Sequence, residues 1–152
     1  MEEVEVKPKK TIVIRLKNAI HQAVLEQERD RVQALKYLFS LIEKEALRKR
    51  KFSEDQVLSL LNGEMKRKKE ALSLFKKGGR ADLVDQEEKE IAWLAEFLPE
   101  APSDEEVRRV VSQFVKKGLN FGQIMSQVMK QFLGNVSGQQ VAKIVKEELG
   151  SR

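Results

Sequence analysis

Apolar residues recur every three to four positions along most of the chain, the spacing of helices that each bury one face. From Thr11, Ile12, Leu16, Ile20, Ala23 and Val24 share a side, while Arg15, Lys17 and Gln22 take the other. TIVI at 11–14 therefore reads as a first helical turn and not as a strand. Pro8 ends any order in residues 1–10. Arg29-Asp30 reads as a joint, with Asp30 as the cap of a second helix and Gln33 three residues on. Val32, Leu35, Leu38, Leu41, Phe39, Ile42 and Ala46 give that helix its apolar face, and it ends in the basic run Arg48 to Lys51. Ser53 with Gln56 caps a third helix that runs to Lys77 and contains Gly63, a residue that weakens a helix by roughly 1 kcal/mol relative to Ala.

The third helix and its successor each carry a charge inside the apolar stripe. At about 100° per residue, Leu58, Leu61, Met65, Leu72 and Phe75 cluster on one face, and Lys68 falls among them. On the next helix Leu83, Ile91, Leu94, Phe97 and Leu98 form the stripe, with Glu87 inside it and Glu90 at its edge. A reversal at Gly78-Gly79 brings Lys68 near Glu90, or one turn away near Glu87. The pattern predicts an antiparallel helical hairpin with an internal ion pair, the lysine stem packed on apolar neighbours. A Lys–Glu acid/base pair is the functional alternative. The sequence offers no Cys, no second His and no Gly-rich phosphate loop beside it to complete such a site.

Pro99 and Pro102 bracket a hinge, and three short helices follow. Ser103 with Glu106 forms a capping box for the first, whose buried side is Val107, Val110, Val111, Phe114 and Val115, ending at Gly118. Asn120 and Gln123 open the second, with Phe121, Ile124, Val128, Met129 and Phe132 as core candidates and Gly134 as its end. Ser137 and Gln140 open the last, with Val141, Ile144, Val145 and Leu149 apolar. The prediction is an all-α chain: a helical domain over residues 11–99 with four helices and the central hairpin, then a three-helix bundle over 100–150.

Composition narrows the chemistry. With no Cys and a single His, His21, which lies off the centre of its stripe, the chain lacks a thiolate or two-His metal site. The expectation is no catalytic residue, no metal and no cofactor. No apolar run approaches the ~20 residues of a membrane span, and the acidic, polar start is unlike a secretory signal; the simplest placement is cytoplasmic. Net charge is +5, but its distribution is uneven. Residues 44–80 hold twelve Lys or Arg against five acids, residues 81–106 ten acids against one Lys, and residues 107–152 eight basic residues against two acids. The first two blocks neutralise each other across a hairpin; the third is left facing an anionic partner. The tetrad Lys66 to Lys69 looks like a nucleic-acid patch, yet consecutive helical residues point in different directions and form a collar around the helix.

The stretch FKKGGRADLVDQEEKEIAWLAEFLPEAPSDEEV resembles the motif of the GatB/YqeY family: an F-x-x-x-x-R-x-D-L opening, E-x-x-E-I, and an aromatic-L-P ending. Here these are Phe75, Arg80, Asp82, Leu83, Glu87, Glu90, Ile91, Phe97, Leu98 and Pro99. With VMK at Val128 to Lys130, the resemblance extends over about residues 11–150, and the length is similar to that of free-standing YqeY-like proteins. The resemblance implies four N-terminal helices and a three-helix bundle, similar to the tail of the GatB component of the glutamine-dependent aspartyl/glutamyl-tRNA amidotransferase without its catalytic part. It implies a tRNA-binding module, or one that meets a tRNA-associated protein, with the family's carbon–nitrogen ligase label inherited by association. At the C-terminal end the sequence departs from the family. Ser126 stands where a glycine is usual, and the loop Gly134-Asn135-Val136-Ser137-Gly138 lacks the Arg and Asp of a G-R-A-D-G-like segment. Those glycines and that Arg are what would let a backbone approach phosphate closely; Lys116, Lys117, Lys130 and Lys143 remain as RNA-binding candidates.

Two other functions compete. A protein-interaction adaptor without RNA binding would use the Pro99–Pro102 joint and Trp93, which lies off its helix's main stripe. An enzyme acting alone would need a nucleotide cradle, a nucleophile with its base, or a metal cluster. None is visible, and Ser53, Ser103 and Ser137 are explained as helix caps.

Overall fold

Most helical segments begin where a side chain accepts from an orphan backbone donor. The computed structural model describes residues 11–49 and 51–150, and among them it contains seven helices and no strand. These are α1 (Ile12–Leu25), α2 (Arg29–Arg48), α3 (Glu54–Lys77), α4 (Ala81–Ala95), α5 (Asp104–Lys116), α6 (Phe121–Gln131) and α7 (Gly138–Gly150). The TIVI segment is the start of α1: Thr11 Oγ1 accepts the Ile14 N–H, and the Glu54 carboxylate accepts the Ile12 N–H at 2.8 Å. Pro8, with the rest of residues 1–10, lies outside the described residues. Reciprocal capping boxes form at Ser53 with Gln56 and at Asn120 with Gln123. At Ser103 only half of the expected box is made. Its hydroxyl accepts the Glu106 N–H, while the Glu106 carboxylate meets that same hydroxyl at 3.4 Å.

The joint between α1 and α2 differs from the expectation. Asp30 lies in the first turn of α2, whose N-cap is Glu28 with no side-chain capping bond. The reason lies in how α1 stops. Gln27 takes φ 58°, and the Glu28 N–H reaches back to the Ala23 carbonyl while Gln27 N–H reaches Val24. This left-handed closure delivers the chain straight into α2 and leaves no extended residue for Asp30 to occupy. The same closure, with glycine in the left-handed position, ends α3 at Gly79 and α5 at Gly118.

Buried apolar side chains fall into two clusters. The first joins Ile12, Leu16, Leu35, Leu38, Ile42, Val57, Leu61, Leu94 and Phe97 from α1 to α4 and its C-terminal edge. The second joins Val107, Val111, Ile124, Val128, Val141, Ile144 and Val145 from α5, α6 and α7. Helix α1 packs on α2, α3 on α4, and α4 also on α2; α7 packs on both α5 and α6. Trp93 is half-buried against the first cluster, so its ring covers the core and is not a free anchor. Val24, Ala46 and Phe121, placed in the core by periodicity, are exposed. Each sits in the first or last turns of its helix, where the stripe continues past the helix that covers it.

A polar joint links the two clusters. The amide of Asn62, only 5 % exposed, donates to the Leu133 carbonyl at 3.0 Å. Leu133 has φ 53°, a conformation that costs a residue with a Cβ about 1–2 kcal/mol. The Asn135 amide donates to the carbonyls of Pro99 and Glu100, both at 3.2 Å. The loop between α6 and α7 is therefore fastened to α3 and to the hinge.

Gly63 has no close neighbour that explains it: a Cβ there would meet only Arg67 Nη1, at 3.8 Å. Gly63→Ala is expected to stabilise the protein by about 0.5–1 kcal/mol, read as a higher urea midpoint at unchanged slope.

Candidate nucleic-acid interface

Lys68 Nζ lies 3.5 Å from Glu90 Oε2 and 3.8 Å from Glu87 Oε2, between α3 and α4. The three side chains are 12 %, 22 % and 17 % exposed. At 3.8 Å the Glu87 contact is coulombic, and this buried oxygen accepts no hydrogen bond. Burial pushes the Glu87 carboxyl above its ordinary range, against the pull of Lys68 and with added repulsion from Glu90 and Glu64. Glu64 is itself buried and receives Arg67 through Nε at 3.1 Å and Nη2 at 2.8 Å. Two members of the tetrad, Arg67 and Lys68, are thus engaged within the chain. Lys66 and Lys69 are exposed and make no ion pair among the described residues.

The remaining motif residues are distributed between the hairpin tip and the hinge. At the tip, Arg80 forms a fork with Asp82, Nε to Oδ1 at 3.3 Å and Nη2 to Oδ2 at 3.1 Å. The hydrogen bond from Arg80 holds the Asp82 carboxyl below its usual range. Leu83 is half-buried beside this fork in sequence, in the first turn of α4. At the hinge, Phe97 is buried under the Arg15 guanidinium, 5.6 Å from the ring centroid, while Arg15 donates to the Glu96 carbonyl at 2.7 Å. Leu98 is half-buried against the first cluster, and Pro99 supplies a carbonyl to Asn135. These contacts shape a turn and a joint. His21 is exposed on α1.

The C-terminal helices handle charge differently. Arg108, on α5, takes both acids of α7: Nη2 to Glu147 at 2.7 Å and Nη1 to Glu148 at 2.8 Å. Ser112 adds a bond to Glu148 at 3.2 Å, and these donors hold the Glu148 carboxyl below its ordinary range. Arg109, Lys116, Lys117, Lys130, Lys143 and Lys146 are exposed and form no ion pair among the described residues. Lys117 lies over the Phe114 ring at 5.7 Å and Lys146 over Phe121 at 6.0 Å. Arg109, Ser112, Gln113 and Lys116 follow one another down a single face of α5 and line a shallow groove there with Arg108, Glu105 and Glu148. Lys116 and Lys117 end α5, Lys130 lies in the last turn of α6, and Lys143 lies on α7. Sequence pattern does not single out Arg109 and Lys146. The positive excess of the segment includes them, but their separation from the acids depends on which arginine takes the glutamates.

In the α6–α7 loop, Asn135 occupies its amide with the hinge carbonyls, and the Ser137 hydroxyl accepts the Gln140 N–H at 3.4 Å. Among the described residues no helix is long and apolar enough to cross a membrane, and no group of His, Cys, Asp and Glu could hold a metal ion.

A family model for YqeY-like proteins matches residues 13–149. The chain is also similar to an uncharacterized protein of Schizosaccharomyces pombe, 33 % identical over 98 residues that cover 64 % of this chain and 78 % of the relative. This chain belongs to the YqeY-like family.

Removing Lys68 strands two carboxylates beside Glu64. Lys68→Met is expected to destabilise the protein by a few kcal/mol at neutral pH, with part of the loss recovered in mild acid as Glu87 protonates. Denaturant melts at several pH values check it. Glu87 yields a second prediction with a defined sign. Its folded-state pKa is raised from 4.5, so its contribution is full below the unfolded value and is lost as pH rises through the folded one. Glu87→Gln should abolish that decline and be more stable than the wild type at neutral pH, measured as the difference between the two stability–pH curves.

Proposed function

We propose that this chain is a noncatalytic tRNA-binding module of the cytoplasm, related to the tail of the GatB component of the glutamine-dependent tRNA amidotransferase. Family membership supports the relation to that tail. In this reading the chain has two parts, a helical domain over residues 11–99 built from four helices and a three-helix bundle over 100–150. The family's carbon–nitrogen ligase label belongs to the larger enzyme. The observation that carries the reading is the engagement of both α7 glutamates by Arg108, which leaves Lys116, Lys117, Lys130 and Lys143 on exposed surface without a carboxylate partner among the described residues. Such a surface meets a polyanion through phosphate contacts, each releasing counterions.

A gel-shift titration with unfractionated tRNA at low salt tests the proposal. Wild-type affinity should fall steeply as salt rises. The triple variant Lys116→Glu, Lys117→Glu, Lys130→Glu should bind more weakly and lower the slope of log affinity against log salt by roughly 2–3. Equal binding by the variant, or none by the wild type, overturns it.

A further inference from the structure

Phe121 is the first residue of α6 and is 38 % exposed, although its helix buries Ile124 and Val128 completely. It belongs to neither core cluster. A single exposed aromatic ring is ordinary; this one stands in a particular setting. The backbone beneath it is fixed from both sides by the capping box, Asn120 Oδ1 accepting the Gln123 N–H at 2.9 Å and Gln123 Oε1 accepting the Asn120 N–H at 3.0 Å. Gly122 follows directly and puts no side chain beside the ring. The Lys146 ammonium lies 6.0 Å from the ring centroid. Lys143 is one helical turn before Lys146 on α7, and Lys116 and Lys117 come just before the open Gly118 turn that leads to Phe121. The acid next to Lys146, Glu147, is turned to Arg108.

We infer that Phe121 is a stacking platform for an unpaired base of RNA, with Lys146 and Lys143 meeting the phosphates that flank it. This rests on the RNA-binding reading above and narrows it. Single-stranded RNA is held where a basic surface follows the backbone and an aromatic side chain receives a base, whereas the bases of a duplex are stacked on one another and inaccessible. The capping box fixes the backbone beneath the ring and so lowers the ordering needed when the base arrives. The recognised element is accordingly a loop or end of the RNA. The two kinds of contact respond differently to salt: the lysine contacts weaken as counterions compete, and stacking does not.

The test compares wild type, Phe121→Leu, Phe121→Tyr and the pair Lys143→Gln, Lys146→Gln. The probes are unfractionated tRNA, a short single-stranded RNA, and the duplex of the same sequence. Wild type should prefer the single strand to the duplex. Phe121→Leu should lose about tenfold on the single strand and on tRNA, with its duplex binding and salt slope unchanged, while Phe121→Tyr keeps wild-type affinity. The lysine pair should lower the salt slope on every probe. Thermal melts identify a folding defect, and if the leucine variant has one, Phe121→Met replaces it. Undiminished single-strand binding without the ring, or an equal loss on the duplex, overturns the platform while leaving the basic surface standing. Failure of the wild type to bind any of the three RNAs overturns both.

Discussion

The α3–α4 hairpin depends on a cation placed where apolar side chains are expected. Lys68 points between two helices, and its charge is tolerated there because Glu87 and Glu90 come within 4 Å from the opposite arm of the hairpin. Withdrawing such charges from water costs several kcal/mol each, and their attraction does little more than offset that. The pair therefore adds little net stability when intact, while removal of either side leaves an uncompensated charge. Sliding α4 by one turn, about 5.4 Å, would put one glutamate in the other's place and carry the second away, so the ammonium would keep a single carboxylate.

Most of the helical plan is legible because it is local. Caps at Ser53, Asn120 and Ser137, the Gly78-Gly79 reversal and the opposed charges at Lys68 and Glu87 are separated by a few residues or by one hairpin, where periodicity and capping rules apply. The misplacements share a cause. Periodicity assigns Val24, Ala46 and Phe121 to the core because it reports a helix's own face and is silent on where the covering helix ends. Asp30 has the right chemistry for a cap, but the backbone at Gln27 sets the start of α2 first. Contacts across long stretches of sequence have no signature at all. Asn62 is a polar residue in a helix interior, and its partner is a main-chain carbonyl 71 positions away; the link from Ile12 to Glu54 is of the same kind.

The basic surface shows how one side chain can determine a charge pattern. The C-terminal segment has few acids, and their position decides whether nearby lysines are screened. By forking onto both Glu147 and Glu148, Arg108 draws the negative charge of α7 toward α5. Lys116 and Lys117 at the end of α5 and Lys143 and Lys146 on α7 then have no carboxylate partner among the described residues, while Asp104, Glu105 and Glu106 gather in the first turn of α5. In the hairpin the arrangement is the reverse: Arg67 with Glu64, Lys68 with its two glutamates and Lys76 with Glu88 interleave the signs. Two lysine-bearing regions therefore offer different surfaces to an anion.

The joint made by Asn62, Leu133 and Asn135 has a consequence for how the molecule can vary. Three amide-to-carbonyl bonds fix direction sharply but demand no matched volume, unlike a greasy seam in which every methyl group must find its hole. The acceptors of this joint are main-chain carbonyls, which no substitution at Leu133, Pro99 or Glu100 takes away.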